Sequence, residues 1–109
     1  MIIDDYIKAL QNKDYEALSA CFAERSRMFD YCPSLVGREN TFLFGDKAID
    51  MYFHNQFVIG GFSVEDPHVV NSRTVNFYAN YAGTIIHALA QIENVDDSGK
   101  IQELVIRPA

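Results

Sequence analysis

The chain has 109 residues, about half of them apolar, with eight Phe and six Tyr, and a formal net charge of −6. That length suits one domain built on one packed core and is too short for two. Its nine Lys and Arg are scattered along the chain, which argues against the basic stripe that nucleic acid requires, and no apolar run approaches the roughly 20 residues of a membrane helix.

The opening MIIDDYIKAL carries acids where a signal peptide carries bases, so a soluble, cytoplasmic protein is expected. Cys21 and Cys32 are enough for one disulfide. Without a leader, reduced thiols are the expectation, with Cys21 in a helix core.

Residues 2–11 predict a helix: Ile3, Tyr6, Ile7 and Leu10 recur at i, i+3, i+4 and i+7 as one apolar stripe. QNKD (11–14) breaks it, and Asp14 is placed to cap a second helix over 14–23 with Tyr15, Leu18 and Phe22 on one side. Residues 26–32 read as a strand stopped by Pro33. Residues 33–44 read as a loop, and its content of Leu35, Val36, Phe42, Leu43 and Phe44 points to a pocket lid or a partner contact.

A third helix begins at Gly45 or Asp46, with Ile49, Tyr52, Phe53 and Gln56 on one face, and ends at IGGF (59–62). Gly37 is the rival start, but the apolar period continues after Gly45. Strands over 62–70, 74–82 and 84–95 follow, then the turn DDSGK and a last strand, IQELVIR. This order predicts an α+β fold: three N-terminal helices packed on a strongly curved antiparallel sheet, forming a cone with an internal pocket.

The order of elements, with YIKALQNKDYEALSACFAE, GDKAIDMYF and DDSGKI, resembles the nuclear transport factor 2-like superfamily, which includes SnoaL-like cyclases and ketosteroid isomerases. The resemblance covers nearly the whole chain and implies one cystatin-like domain over 1–109. It also implies three site residues. Asp30, in RMFDYCP, falls at the isomerases' general base, with Tyr31 where Pro is usual. Tyr6, followed by Ile7, falls at the oxyanion-hole tyrosine. The count back from DDSGK lands on Gln91, where the isomerases carry a protonated Asp.

In that chemistry the carboxylate moves a proton next to a carbonyl while Tyr and a neutral acid hold the enolate oxygen. Gln91 donates only an amide, which departs from the pattern. Each residue also has a plain reading. Tyr6 suits a core position with its hydroxyl at the rim, and Asp30 suits a turn former at a strand end. Strict alternation over 84–95 puts His87, Leu89, Gln91 and Glu93 on one face and Ile86, Ala88, Ala90 and Ile92 on the other. If the polar face looks inward, His87 and Gln91 enter the cavity; if outward, they lie at a subunit contact and Gln91 leaves the catalytic set.

Met28, Tyr52, Phe53, Phe57, His87 and Leu104 are the candidate pocket walls. Three separated His and no carboxylate cluster give no reason to expect a metal, and no motif implies a cofactor. VEDPH, with His68, reads as a strand edge or bulge, and His54 as solvent-facing or at the rim. Two functions remain open. One is a cofactor-free isomerase, cyclase or dehydratase with Asp30 as base and Tyr6 as oxyanion donor, acting on a small apolar molecule. The other is a non-catalytic ligand-binding or dimerisation domain. A homodimer through the sheet is expected, with a pocket mouth that is open or closed by the partner, since IRPA carries no closing tail.

Overall fold

The computed structural model describes residues 1–109. Helix α1 (Ile2–Gln11) buries Ile3, Tyr6, Ile7, Ala9 and Leu10, the predicted stripe. Asp4 and Asp5 in its first turn complement the helix dipole. The Asp14 side chain accepts the Ala17 N–H at 3.0 Å and starts α2 (Tyr15–Ala20).

Helix α2 stops earlier than its sequence pattern predicts, and the reason is tertiary. The Ile101 N–H donates to the Cys21 carbonyl at 2.8 Å, and Phe22 pairs with Ile101. The backbone is thereby drawn into strand β1 (Phe22–Asp30) before another helical turn can form. Phe22 is then free to pack edge-on against Tyr6, with ring centroids 6.3 Å apart.

The segment read as a loop is partly ordered. Pro33–Val36 is a 3-10 turn closed by Gly37 in the left-handed region, and Thr41–Phe44 is a strand, β2, paired antiparallel with β1. Four residues at a sheet edge are too few to show a period in sequence. Gly45, with φ at +91°, precedes α3 (Asp46–Val58), as the apolar period after it predicts. The bend falls where a non-glycine residue is strained.

Strands β3 (Phe62–Asn71), β4 (Thr74–Tyr81), β5 (Thr84–Val95) and β6 (Ile101–Pro108) form an antiparallel meander. The VEDPH stretch is a bulge on edge strand β3, with Asp66 at φ +52° and a register shift between Glu65 and His68. The turn into β6 is tied by Asp96, whose carboxylate accepts from the Ser98 and Lys100 N–H groups.

The sheet has six strands in the order β2-β1-β6-β5-β4-β3, curved and unclosed. One expectation is corrected: the sheet is mixed, because β1 runs parallel to β6. The three helices lie among the first 58 residues but are not contiguous, since β1 and β2 stand between α2 and α3. Helix α1 packs on β3 and β4, α3 packs on β1, β2 and β3, and α2 joins the two helices. The core is the sheet's inner face. There Met28, Leu104 and Ile92 make one row across adjacent strands, and Asp30, Ile106, Ala90 and Val75 make the next.

Candidate functional site

Asp30 is the last residue of β1 and follows Ser26 and Met28 on the buried parity of the strand. Its side chain therefore enters the apolar interior, and only 8 % of the residue is exposed. One carboxylate oxygen accepts the Cys32 N–H at 2.9 Å, two residues on, which is the local bond of an Asx turn. The other faces the Tyr81 hydroxyl, 3.5 Å away. Asp30 is thus both a turn former and an interior acid.

No Lys, Arg or His pairs with Asp30; the molecule's ion pairs are Met1 with Asp4 and Arg27 with Glu103. Burial pushes the carboxyl up to about 6, while the bonds from Cys32 and Tyr81 pull it back. Such a group exchanges a proton near neutrality.

Tyr6 comes to the same space from α1. It is fully buried, and its hydroxyl has no hydrogen-bond partner. Burial, and then the Asp30 charge, raise its pKa, so the phenol stays protonated and keeps a free donor. Tyr81 is raised by the same two causes. Tyr52 of α3 is raised by burial, and its hydroxyl lies 3.1 Å from Thr41 Oγ1. Both thiols are free and buried, and burial pushes Cys21 up to about 11 and Cys32 up to about 12, which disfavours the reactive thiolate.

These groups surround a recess. Tyr6 and Leu10 supply its α1 wall and Tyr52, Phe53 and Gln56 its α3 wall; the sheet adds Asp30, Phe62, Phe77, Ala79, Tyr81, Ala88 and Ile106. Counting its open mouth it has about 350 Å³ of empty space, but that space is narrow and little of it is wide enough for water. There is room for one water beside the rings. The exposed Arg38 guanidinium lies over the Tyr81 ring, 5.8 Å from its centroid.

Of the residues singled out in the sequence, Tyr6, Asp30, Tyr52 and Phe53 meet at this recess. Met28 and Leu104 lie one row away, fully buried in the core. Phe57 stacks beside Phe62, with centroids 6.2 Å apart, outside the lining. Gln91 and His87 require correction. The inner parity of β5 is Ala88, Ala90 and Ile92, all buried, so Gln91 and His87 point to the opposite face. Gln91 stands between Thr74 and Val105, and His87 is exposed and stacks on Tyr78, 4.5 Å apart. Alanines fill the inner side because the rings of Tyr6, Phe53 and Phe77 need that space.

The wall residues missing from the sequence reading are chiefly Phe77, Ala79 and Tyr81. Their signal was available: with Val75 they alternate along β4, and all four are buried. His54 is exposed and edge-on to Tyr15, and His68 is exposed on β3.

Solved structures share this architecture. A SnoaL-like protein from Burkholderia thailandensis superposes with a TM-score of 0.66 at 14 % identity, over 98 % of this chain and 91 % of its own. An NTF2-like protein from Cytophaga hutchinsonii gives 0.61 at 17 %, over 99 % and 87 %. A protein of ketosteroid isomerase-like fold from Catenulispora acidiphila, in complex with trimethylamine, gives 0.65 at 13 %, over 99 % and 85 %. No protein-family model matches the sequence, and no curated protein matches it. At these identities the likeness is one of fold: the chain has the nuclear transport factor 2-like, SnoaL-like fold.

Proposed function

We propose that the chain binds a small, largely apolar molecule in the recess beneath Asp30, and that Asp30 serves there as a cofactor-free acid–base group. The observation that carries this is the unpaired, buried carboxylate, held near a pKa of 6 among aromatic rings. Keeping such a charge in an apolar wall is costly, and the turn at Cys32 needs only a neutral acceptor such as an Asn carbonyl. Tyr6 is the oxyanion donor in this reading, because its hydroxyl is protonated, buried and unpartnered. Tyr81 takes the place the sequence offered to Gln91, as the second hydroxyl at the carboxylate. The neighbour that holds trimethylamine supports the view that this fold admits a small molecule.

The chemistry is proton transfer next to a carbonyl. Asp30 takes a proton from the carbon, Tyr6 holds the enolate oxygen, and Asp30 returns the proton. Hydrogen–deuterium exchange at the carbons flanking the carbonyl of cyclohexanone in D2O, followed by NMR, is the direct test. Exchange faster than in buffer, and lost in Asp30→Asn, is the expected outcome; exchange at the buffer rate removes the acid–base role.

The tightness of the recess favours a second reading, a binding module without turnover. With space for one water, a ligand enters only if mouth side chains turn aside. Amide shifts at Ala79 and Tyr81 on adding cyclohexanone, without exchange, would select this reading.

We also propose that the outer sheet face pairs with a second copy. Phe29, Tyr31, Phe42 and Phe44 form a T-shaped aromatic cluster there, with centroids 5.6 to 6.0 Å apart, and Phe44 is 64 % exposed. Such a patch gains from being covered.

A further inference from the structure

The recess combines three features that the proposed function uses only in part. The first is a carboxylate with no cation. The titratable groups that face Asp30 are Tyr6 from α1, Tyr52 from α3, Tyr81 from β4, and Cys32 from the segment after β1. All four are neutral at pH 7, and the exposed Arg38, which lies over Tyr81, forms no ion pair with Asp30.

The second feature is the wall. Tyr6, Tyr52, Phe53, Phe62, Phe77 and Tyr81 line one small space, and the face of an aromatic ring attracts a cation, most strongly where water is excluded. One of these rings already attracts a cation from outside the recess lining: the exposed Arg38 guanidinium lies over Tyr81 at 5.8 Å. The third feature is the Tyr6 hydroxyl, an unpartnered buried oxygen at the same recess. A lone hydroxyl is both donor and acceptor.

A neutral carbonyl compound satisfies Tyr6 but leaves the Asp30 charge uncompensated, and an anion is repelled by it. From these features we infer that the recess is selective for a small alkylammonium ion, whose N–H groups donate to Asp30 and to the Tyr6 hydroxyl oxygen while its alkyl carbons lie against the rings. Its charge replaces the counterion that the fold does not supply, in a setting where attraction is little screened. The occupant exceeds one water, so Gln56, a long, partly exposed side chain of the lining, turns aside to admit it. This inference rests on the binding half of the proposed function and not on its acid–base half.

The test compares isopropylammonium with its neutral isostere 2-propanol, titrated into the 15N-labelled protein and read at the Ala79, Tyr81 and Ala88 amides. Isopropylammonium should bind tighter than 2-propanol by at least tenfold at pH 7.5. Its affinity should fall about tenfold at pH 5, where an acid titrating near 6 is about nine-tenths protonated. Asp30→Asn, checked for folding by its melting curve, should abolish the preference, and Tyr6→Phe should weaken it several-fold. If 2-propanol binds as well as the cation, or Asp30→Asn retains the preference, the pocket stands and its selectivity for cations is overturned. If neither compound moves these amides, the recess does not open, and both the inference and the binding reading fall.

Discussion

Asp30 accepts the Cys32 N–H at 2.9 Å with one carboxylate oxygen and turns the other toward the Tyr81 hydroxyl, 3.5 Å away. The first bond is local and good; the second is long. The charge is therefore tied to the backbone on one side and underserved on the other, where the recess opens. A group held this way keeps its position when it loses or gains a proton, which suits a ligand contact better than a structural ion pair does.

The pH dependence of stability follows from that arrangement. The folded-state pKa of Asp30 is raised from 3.8 to about 6. Stability contributed by the neutral form is fully present below 3.8, and it is lost as pH rises to about 6. The shift corresponds to roughly 3 kcal/mol, as an upper value for a group with a remaining path to solvent. Asp30→Asn should therefore melt higher than the parent at pH 7.5 and equal to it near pH 3.5. A variant less stable at both pH values would show that the charge contributes favourably.

Tyr6→Phe deletes a buried hydroxyl that has no partner. Leaving such a group unsatisfied costs roughly 1–3 kcal/mol. Urea denaturation of Tyr6→Phe should show equal or greater stability, by up to about 1 kcal/mol if a bound water now relieves part of that cost. A loss above about 1 kcal/mol would show that the hydroxyl has a partner in solution.

Ala88 lines the recess opposite the large rings of Tyr6, Phe53 and Phe77. Ala88→Val should close the remaining space at a cost below about 3 kcal/mol and abolish small-molecule shifts at Tyr81. Gln91→Ala, on the opposite face, should leave those shifts unchanged.

On the outer face, Phe42→Asp places a charge in the cluster of Phe29, Tyr31 and Phe42. Gel filtration should show a dimer for the parent and a monomer for the variant. A parent that elutes as a monomer removes the pairing.

Asp14→Ala removes the only side-chain cap of the three α-helices. It should cost about 1 kcal/mol in urea denaturation, since α2 has six residues and little else to start it.

Much of the fold was legible because its signals are local. The stripe of α1, the Asp14 cap, the Gly45 entry to α3 and the DDSGK turn each need only a few neighbours. The end of α2 and strand β2 were not legible, because Ile101 sets the first and pairing with β1 sets the second. The site divided the same way. Asp30 and Tyr6 were reached through the family resemblance, while their local patterns alone left a strand-end turn former and a core tyrosine equally open. The direction of Gln91 depends on which side of β5 the helices cover, and periodicity along one strand carries no such information. Tyr81 was overlooked although its parity with Phe77 was plain, since nothing in β4 alone marks it as the partner of an acid 51 residues earlier.

The parallel pairing of β1 with β6 bears on how the chain acquires its shape. The strand over Ile101–Pro108 bridges two halves that otherwise share no strand contacts, the early β1–β2 pair and the later β3–β5 meander. The halves join only through contacts between segments far apart in sequence, so folding waits on a long-range closure and should be slow for a fold of this size. Ile106 belongs to that closing strand and also to the recess wall, so no half-made intermediate possesses a complete recess.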